Sequence, residues 1–231
     1  MSSSPKTYVE TRFRYFRRFR SFNKSTPLAV ERCIKKTIEL DTTNKGDYYE
    51  FGIFKGYTFW YAQKVAKEQG IKTMCFFGFD SFSGLPEITE IDKTQDGGLY
   101  AGQFKYPIKE VEKHLNSKGV DWKKTFLIEG FFEKTLNSGT KKKYNMDKIS
   151  VVLIDCDLYQ STMKVLDFIK DMIIDKTIIL FDDWNCFGDK NKGERRAFRE
   201  FLQKNKNISA TEFFTYHREK YGKAFIINKK R

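Results

Sequence analysis

Histidine is scarce in this chain, with only His114 and His217 among 231 residues. A histidine-rich metal site or a histidine-based triad is therefore poorly supported, and the chemistry should rest on carboxylates. The four cysteines, Cys33, Cys75, Cys156 and Cys186, show no paired spacing. That pattern argues against a zinc site or a disulfide framework; in or beside strand ends such thiols behave as small hydrophobes. No apolar run is long enough to cross a bilayer, and the N-terminus lacks the apolar segment of a secretory signal, so the expectation is a soluble, cytoplasmic protein. Repeats and low-complexity tracts are also missing. Acids are outnumbered: 43 Lys and Arg against 30 Asp and Glu give a net charge of +13. The excess favours an anionic partner, whether nucleic acid, a phosphorylated or nucleotide-linked substrate, or an acidic surface, although lysines spread over a solvated surface give the same total.

What is present is organised around Val151 to Trp184, VVLIDCDLYQSTMKVLDFIKDMIIDKTIILFDDW. Val151 to Ile154 is continuously apolar, as in a strand buried on both faces, and stops at Asp155 and Asp157. Thr177 to Phe181 repeats the pattern and stops at Asp182 and Asp183. Between them Leu158, Val165, Leu166, Ile169, Met172 and Ile173 recur at helical spacing, which predicts an amphipathic crossover helix and hence two parallel strands. Both strands then deliver their carboxyl ends to one sheet edge, where ligands of open α/β sheets bind. Carboxylates gathered there raise one another's pKa unless a cation sits among them, and oxygen donors suit a hard ion such as Mg²⁺. The plain alternative is that these acids only cap helices and end strands.

The length predicts one domain, residues 46–231, carrying an N-terminal extension, residues 1–45. In the extension Arg12, Arg14, Arg17, Arg18 and Arg20 alternate with Phe13, Tyr15, Phe16, Phe19 and Phe22. Such a segment grips phosphates and stacks on bases, lies on an anionic membrane, or packs its Phe face on the core or on a second copy in a homo-oligomer. Pro27 to Leu40 predicts a helix with Leu28, Cys33, Ile34 and Ile38 on its apolar face. Asp47 to Phe51 begins the sheet, and Gly52 and Gly56 in the following turn allow close backbone approach to a ligand. Their spacing, Glu50-x-Gly52-x-x-x-Gly56, is not that of a dinucleotide binder. The next strand, Thr73 to Phe79, ends at Asp80, a plausible partner for ribose hydroxyls. Residues 84–107 lack a period and read as a lid or binding loop. Thr125 to Ile128 is a third strand, ending in Glu129-Gly130. Lys141 to Lys143 read as a surface turn, Glu194 to Asn205 as a helix burying Ala197, Phe198, Phe201 and Leu202, and the chain closes in a hairpin around Lys220-Tyr221-Gly222.

Taken in order, the motifs FDSFSGLPE (Phe79 to Glu87), EGFFEKTL (Glu129 to Leu136), IDCDLYQST and FDDW resemble those of class I S-adenosylmethionine-dependent methyltransferases, and more narrowly the macrocin O-methyltransferase family, which modifies sugars in bacterial natural products. The resemblance covers roughly Asp47 to Lys229 and implies a Rossmann-like, mostly parallel sheet of about seven strands with helices on both faces. It implies that Glu50, Gly52 and Gly56 line the methionine part of S-adenosylmethionine, Asp80 with Ser81 the ribose, and Glu129 with Gly130 the adenine side. It assigns Mg²⁺ to Asp155, Asp182 and Asp183, and proton abstraction from an acceptor hydroxyl to Asp155 or Asp157. Relatives usually carry Gly-Gly where this chain has Asp175-Lys176. The function expected is metal-dependent O-methylation of a sugar, nucleotide-sugar or glycan; the alternatives are a nucleic-acid methyltransferase and a non-catalytic interaction module.

Overall fold

Seven strands form one sheet in the order β3-β2-β1-β4-β5-β7-β6: β1 is Asp47–Phe51, β2 Phe76–Asp80, β3 Thr125–Glu129, β4 Ile149–Ile154, β5 Ile173–Phe181, β6 Ile208–Tyr216 and β7 Gly222–Lys229. This is seen in a computed structural model that describes residues 25–43, 45–93, 98–187, 191–217 and 221–230. The arginine-rich stretch from Arg12 to Phe22 lies outside the described residues. The strands from β3 through β5 are parallel to their neighbours, while β7 runs antiparallel to both β5 and β6. The sheet is thus mixed at one side and parallel where the candidate residues lie. The helices are α1 (Ser25–Glu39), α2 (Tyr57–Glu68), α3 (Ile108–Ser117), α4 (Phe132–Thr135), α5 (Ser138–Lys143), α6 (Tyr159–Ile169) and α7 (Gly193–Lys204). None among the described residues is long and apolar enough to cross a membrane.

Side chains alternate between the two faces of a strand. Tyr49, Phe51, Phe77, Phe79, Val152, Ile154, Ile179 and Phe181 join residues of α6 and α7 in one apolar layer. Tyr48, Phe76, Val151, Leu153, Ile178 and Leu180 join α1 and α2 in the other. Every residue of β4 is buried, which is why that run is continuously apolar. Rings stack across β1, β2 and β3: Tyr49 on Phe77 at 4.8 Å, Phe77 on Phe126 at 5.1 Å, and Phe51 on Phe79 at 4.7 Å. Cross-strand aromatic pairs contribute roughly 0.5–1 kcal/mol each, so this part of the sheet is held by side chains as well as by its ladder.

Three expectations need correction. Helix α1 starts at Ser25 and buries Thr26, Ala29, Val30, Cys33, Ile34 and Thr37; Leu28 and Ile38 are 54% and 46% exposed. Small residues on the inward stripe allow close packing on the sheet, and that stripe bypasses the two larger side chains. The crossover helix ends at Ile169, and Ile173 opens β5 opposite Ile149. The pairing then jumps to Val151 and Ile178, with Lys176 at φ 68 inside the irregularity. A left-handed residue in this bend is a natural place for glycine, as the resemblance has it; here the lysine is anchored to Asn228 at 2.7 Å. Lys141 to Lys143 form the last turn of α5, where cations face the helix carbonyls.

Candidate active site at the carboxyl edge of the sheet

One residue past β3, β1, β4 and β5, the ladder continues. Gly130 N–H donates to the Asp80 carbonyl, Gly52 to Phe79, Asp155 to Phe51 and Asp182 to Ile154, all at 2.9–3.0 Å. The turns after β3, β1, β4 and β5 are thereby stitched to a neighbouring strand. Gly130, Gly52, Asp155 and Asp182 stand along one edge, with Asp80 and Glu129 paired in register beside them. Of the residues expected there, Glu129 is exposed, Asp80, Ser81, Gly130, Asp155 and Asp182 are half-buried, and Glu50, Asp157 and Asp183 are buried.

The two turn glycines are required by the protein's own packing. A Cβ on Gly52, at φ 97, would collide with the Asp155 carbonyl oxygen; one on Gly56, at φ 75, would lie 2.9 Å from Val111 Cγ1. Asp80 organises this turn: its Oδ2 accepts from Ile53 N–H at 2.8 Å and Phe54 N–H at 2.9 Å, and its Oδ1 from Phe82 N–H at 2.7 Å. A carboxylate has about four lone-pair sites, so three amides fix Asp80 and leave it capacity for a hydroxyl. Ser81 donates to the Gly84 carbonyl at 2.7 Å and accepts from Ser83 N–H at 3.1 Å.

At the other half of the edge Asp182 Oδ1 accepts from Thr26 Oγ1 at 2.9 Å and lies 3.0 Å from His217 Nε2. The second ring nitrogen of His217 meets Ser25 Oγ. Asp183 accepts the Cys186 thiol at 2.9 Å and donates its own N–H to Glu194 Oε2 at 2.9 Å. Glu194 is fully buried at the start of α7. Burial first, then the charges of Asp183, Asp155 and Asp182, push its pKa well up. Among the described residues, no three His, Cys, Asp or Glu side chains are grouped so as to hold a metal ion. The expected triad of Asp155, Asp182 and Asp183 follows the ends of the paired strands β4 and β5 but is not gathered as ligands, because Asp182 is bonded to Thr26 and His217 while Asp183 is bonded to Cys186. Thr26 and His217 lie far in sequence from the FDDW motif, and Glu194 eleven residues beyond Asp183, and no local spacing marks any of them.

Glu50 lies one step inside the edge, opposite Gly78 and Leu153, and accepts the Tyr48 hydroxyl at 2.5 Å. Burial pushes its pKa from 4.5 up to about 8, against the lowering effect of that hydroxyl. The unfolded chain thus releases this proton near pH 4.5 and the folded protein near pH 8, so the folded state binds more protons in between. Glu50 therefore makes stability fall as pH rises through that window, by an amount on the order of a few kcal/mol. Glu50→Gln, which mimics the neutral form, should flatten this part of the stability profile and melt above wild type at pH 8. Parallel melting curves from pH 5 to 9 in the two proteins would contradict the assignment.

A family model described as Macrocin-O-methyltransferase (TylF) matches residues 28–213. The 8-demethyl-8-(2,3-dimethoxy-alpha-L-rhamnosyl)-tetracenomycin-C 4'-O-methyltransferase of Streptomyces olivaceus is 22% identical over 143 residues, covering 60% of this chain and 53% of its own length. The mycinamicin III 3''-O-methyltransferase of Micromonospora griseorubida is 22% identical over 145 residues, 60% of this chain and 55% of its own. The chain thus spans about half the length of the curated relatives it matches. Among solved structures, the O-methyltransferase NovP superposes with a TM-score of 0.72 at 19% identity, over 89% of this chain and 79% of that one. CalS11, a calicheamicin methyltransferase, gives 0.69 at 19% identity, over 87% and 77%. These likenesses show the shared methyltransferase fold.

Proposed function

Because this chain belongs to the macrocin-O-methyltransferase (TylF) family, we propose that it transfers a methyl group from S-adenosylmethionine to a hydroxyl of a sugar, nucleotide-sugar or glycan. The observation that carries this reading is the single sheet edge on which the Gly52 turn, Asp80 and Glu129 stand beside Asp155 and Asp182. S-adenosylmethionine, when bound, supplies a methyl group already activated on a sulfonium. The chain's own task is then to orient the acceptor and take its proton. Glu50, Gly52 and Gly56 border the methionine end, Asp80 and Ser81 the ribose, and Glu129 with Gly130 the adenine. Asp155 or Asp157 accepts the hydroxyl proton as the oxygen attacks in line.

A divalent cation is the finer part of the proposal. Asp155, Asp182 and Asp183 offer the hard oxygen donors that suit Mg²⁺; to hold it, Asp182 would turn from Thr26 and His217 and Asp183 from Cys186, and the ion would then supply a Lewis acid at the acceptor hydroxyl. The test pairs calorimetry with turnover. S-adenosylhomocysteine should bind and NAD should not, and TDP-rhamnose, the sugar nucleotide named for CalS11, should become methylated. Exhaustive chelation should stop turnover and added Mg²⁺ restore it, with S-adenosylhomocysteine affinity unchanged. Tighter binding of NAD would refute the cofactor; full activity after chelation would refute the cation and leave Asp157 as a metal-free base.

A further inference from the structure

Helix α6 begins without a cap of its own. Its N-cap position is Leu158, which makes no side-chain cap bond, although the first amides of a helix need acceptors. The acceptor comes from far away in the sequence: Asp92 Oδ1 takes Tyr159 N–H at 2.6 Å and Oδ2 takes Gln160 N–H at 3.3 Å. Asp92 is 2% exposed and belongs to the connection between β2 and α3. Beside it, the Lys93 carbonyl accepts Lys192 Nζ, at the N-cap of α7, at 3.2 Å. The base of the same connection is closed by Leu85 N–H on the Gln103 carbonyl at 2.8 Å and Gly102 N–H on the Leu85 carbonyl at 2.9 Å. Residues 81–93 are thus fastened at both ends, and one fastening is the first turn of α6.

Two residues before that turn begins stands Asp157. Its φ is 60, and Leu158 N–H closes onto the Cys156 carbonyl at 2.6 Å, a three-residue turn with a left-handed centre. A non-glycine residue keeps such a conformation only where the surrounding structure over-determines it. The residues that follow are held from outside: Tyr159 and Gln160 by Asp92, and the Tyr159 hydroxyl by Glu200 at 2.7 Å. Arg196 covers the Tyr159 ring at 4.7 Å and pairs with Glu200 at 2.8 Å. We propose that Asp92 is a positioning residue for methyl transfer: by fastening residues 81–93 onto the start of α6 it holds Asp157 in its left-handed turn and so fixes the direction of that carboxylate. The proposal deepens the reading of Asp157 as a site residue and rests on it.

The experiment uses full-length Asp92→Ala and Asp92→Asn. In Asp92→Ala, amide hydrogen exchange of residues 155–161 should accelerate by about tenfold or more while β1 and β4 keep their protection, since freed first-turn amides open locally. S-adenosylhomocysteine affinity should fall far less than kcat, because of the residues assigned to it only Ser81 belongs to the fastened segment, and its own bonds to Gly84 and Ser83 do not involve Asp92. With TDP-rhamnose as the probe acceptor, kcat should fall about 10–100-fold with little change in KM for S-adenosylmethionine, the cost of a misplaced group. Asp92→Asn should fall between, since its amide oxygen still accepts one of the two N–H groups. A lower melting temperature in both variants, with unchanged protection at 155–161 and unchanged kcat per folded molecule, would overturn the proposal. If wild type leaves TDP-rhamnose unmethylated, that acceptor assignment fails, and exchange at 155–161 decides the role of Asp92 by itself: unaltered protection defeats it, selective loss supports it.

Discussion

Asp157→Asn should lower turnover by about 10²–10⁴-fold, the range lost with a general base, while S-adenosylhomocysteine binds as it does to wild type. The substitution is unusually clean here. Asp157 sits at φ 60, and asparagine enters the left-handed region at least as readily as aspartate, so the turn between Cys156 and Leu158 should survive the exchange. What disappears is the capacity to hold a proton. Asp155→Asn is the companion experiment: its backbone N–H is committed to the Phe51 carbonyl, which side-chain amidation does not disturb. The base is the residue whose variant loses the acidic limb of the pH–rate profile, since Asp155→Asn would lower turnover as a cation ligand as well. If neither variant loses more than a few-fold in specific activity while both shift the melting temperature, these acids end strands and do no chemistry.

The sequence made the sheet edge legible because its signals are local. A continuously apolar run that stops at an aspartate reports a doubly buried strand and its carboxyl end at once, and it did so for β4 and β5. Gly52, Asp80 and Glu129 stand at or just past the ends of such strands, and Glu50 one step inside. The role of the glycines was only half legible. Ligand approach was expected, whereas Gly52 is forced first by the Asp155 carbonyl, a neighbour that no strand pattern reveals before the order β1-β4 is known. The state of the acids was not legible at all. Whether Asp182 faces a cation or His217 depends on a hairpin residue 35 positions away, and Asp183 meets Glu194, the first acid of another helix. Long-range side-chain bonds of this kind leave no period in the chain. Asp92 is the same case, a helix cap supplied 67 residues before the helix it serves.

Among the described glycines, Gly52→Ala should be the most damaging added methyl group. Gly52 has φ 97, a conformation that costs an L-residue roughly 1–3 kcal/mol. The new Cβ would also lie well inside contact distance of the Asp155 carbonyl oxygen and 2.9 Å from its carbon. Both partners are backbone and neither can swing away. Gly52 N–H is bonded to Phe79, and Asp155 N–H to Phe51. Relief therefore requires β1 and β4 to separate at their carboxyl ends, an overpacking cost of roughly another 1–3 kcal/mol. Together these reach about 2–6 kcal/mol, a large part of the roughly 5–15 kcal/mol that holds a typical domain folded. Gly70→Ala is the control, since Gly70 has φ 70 but nothing within 4 Å of its Cβ position. It should show the backbone cost alone. Denaturant titration of the two variants should thus give a clearly larger loss for Gly52→Ala, and its folded fraction should lose turnover as well, because the strand separation moves Asp155. Equal losses in the two variants would mean that the approach of β1 to β4 is not tight, and the link from Gly52 to Asp155 would fall with it.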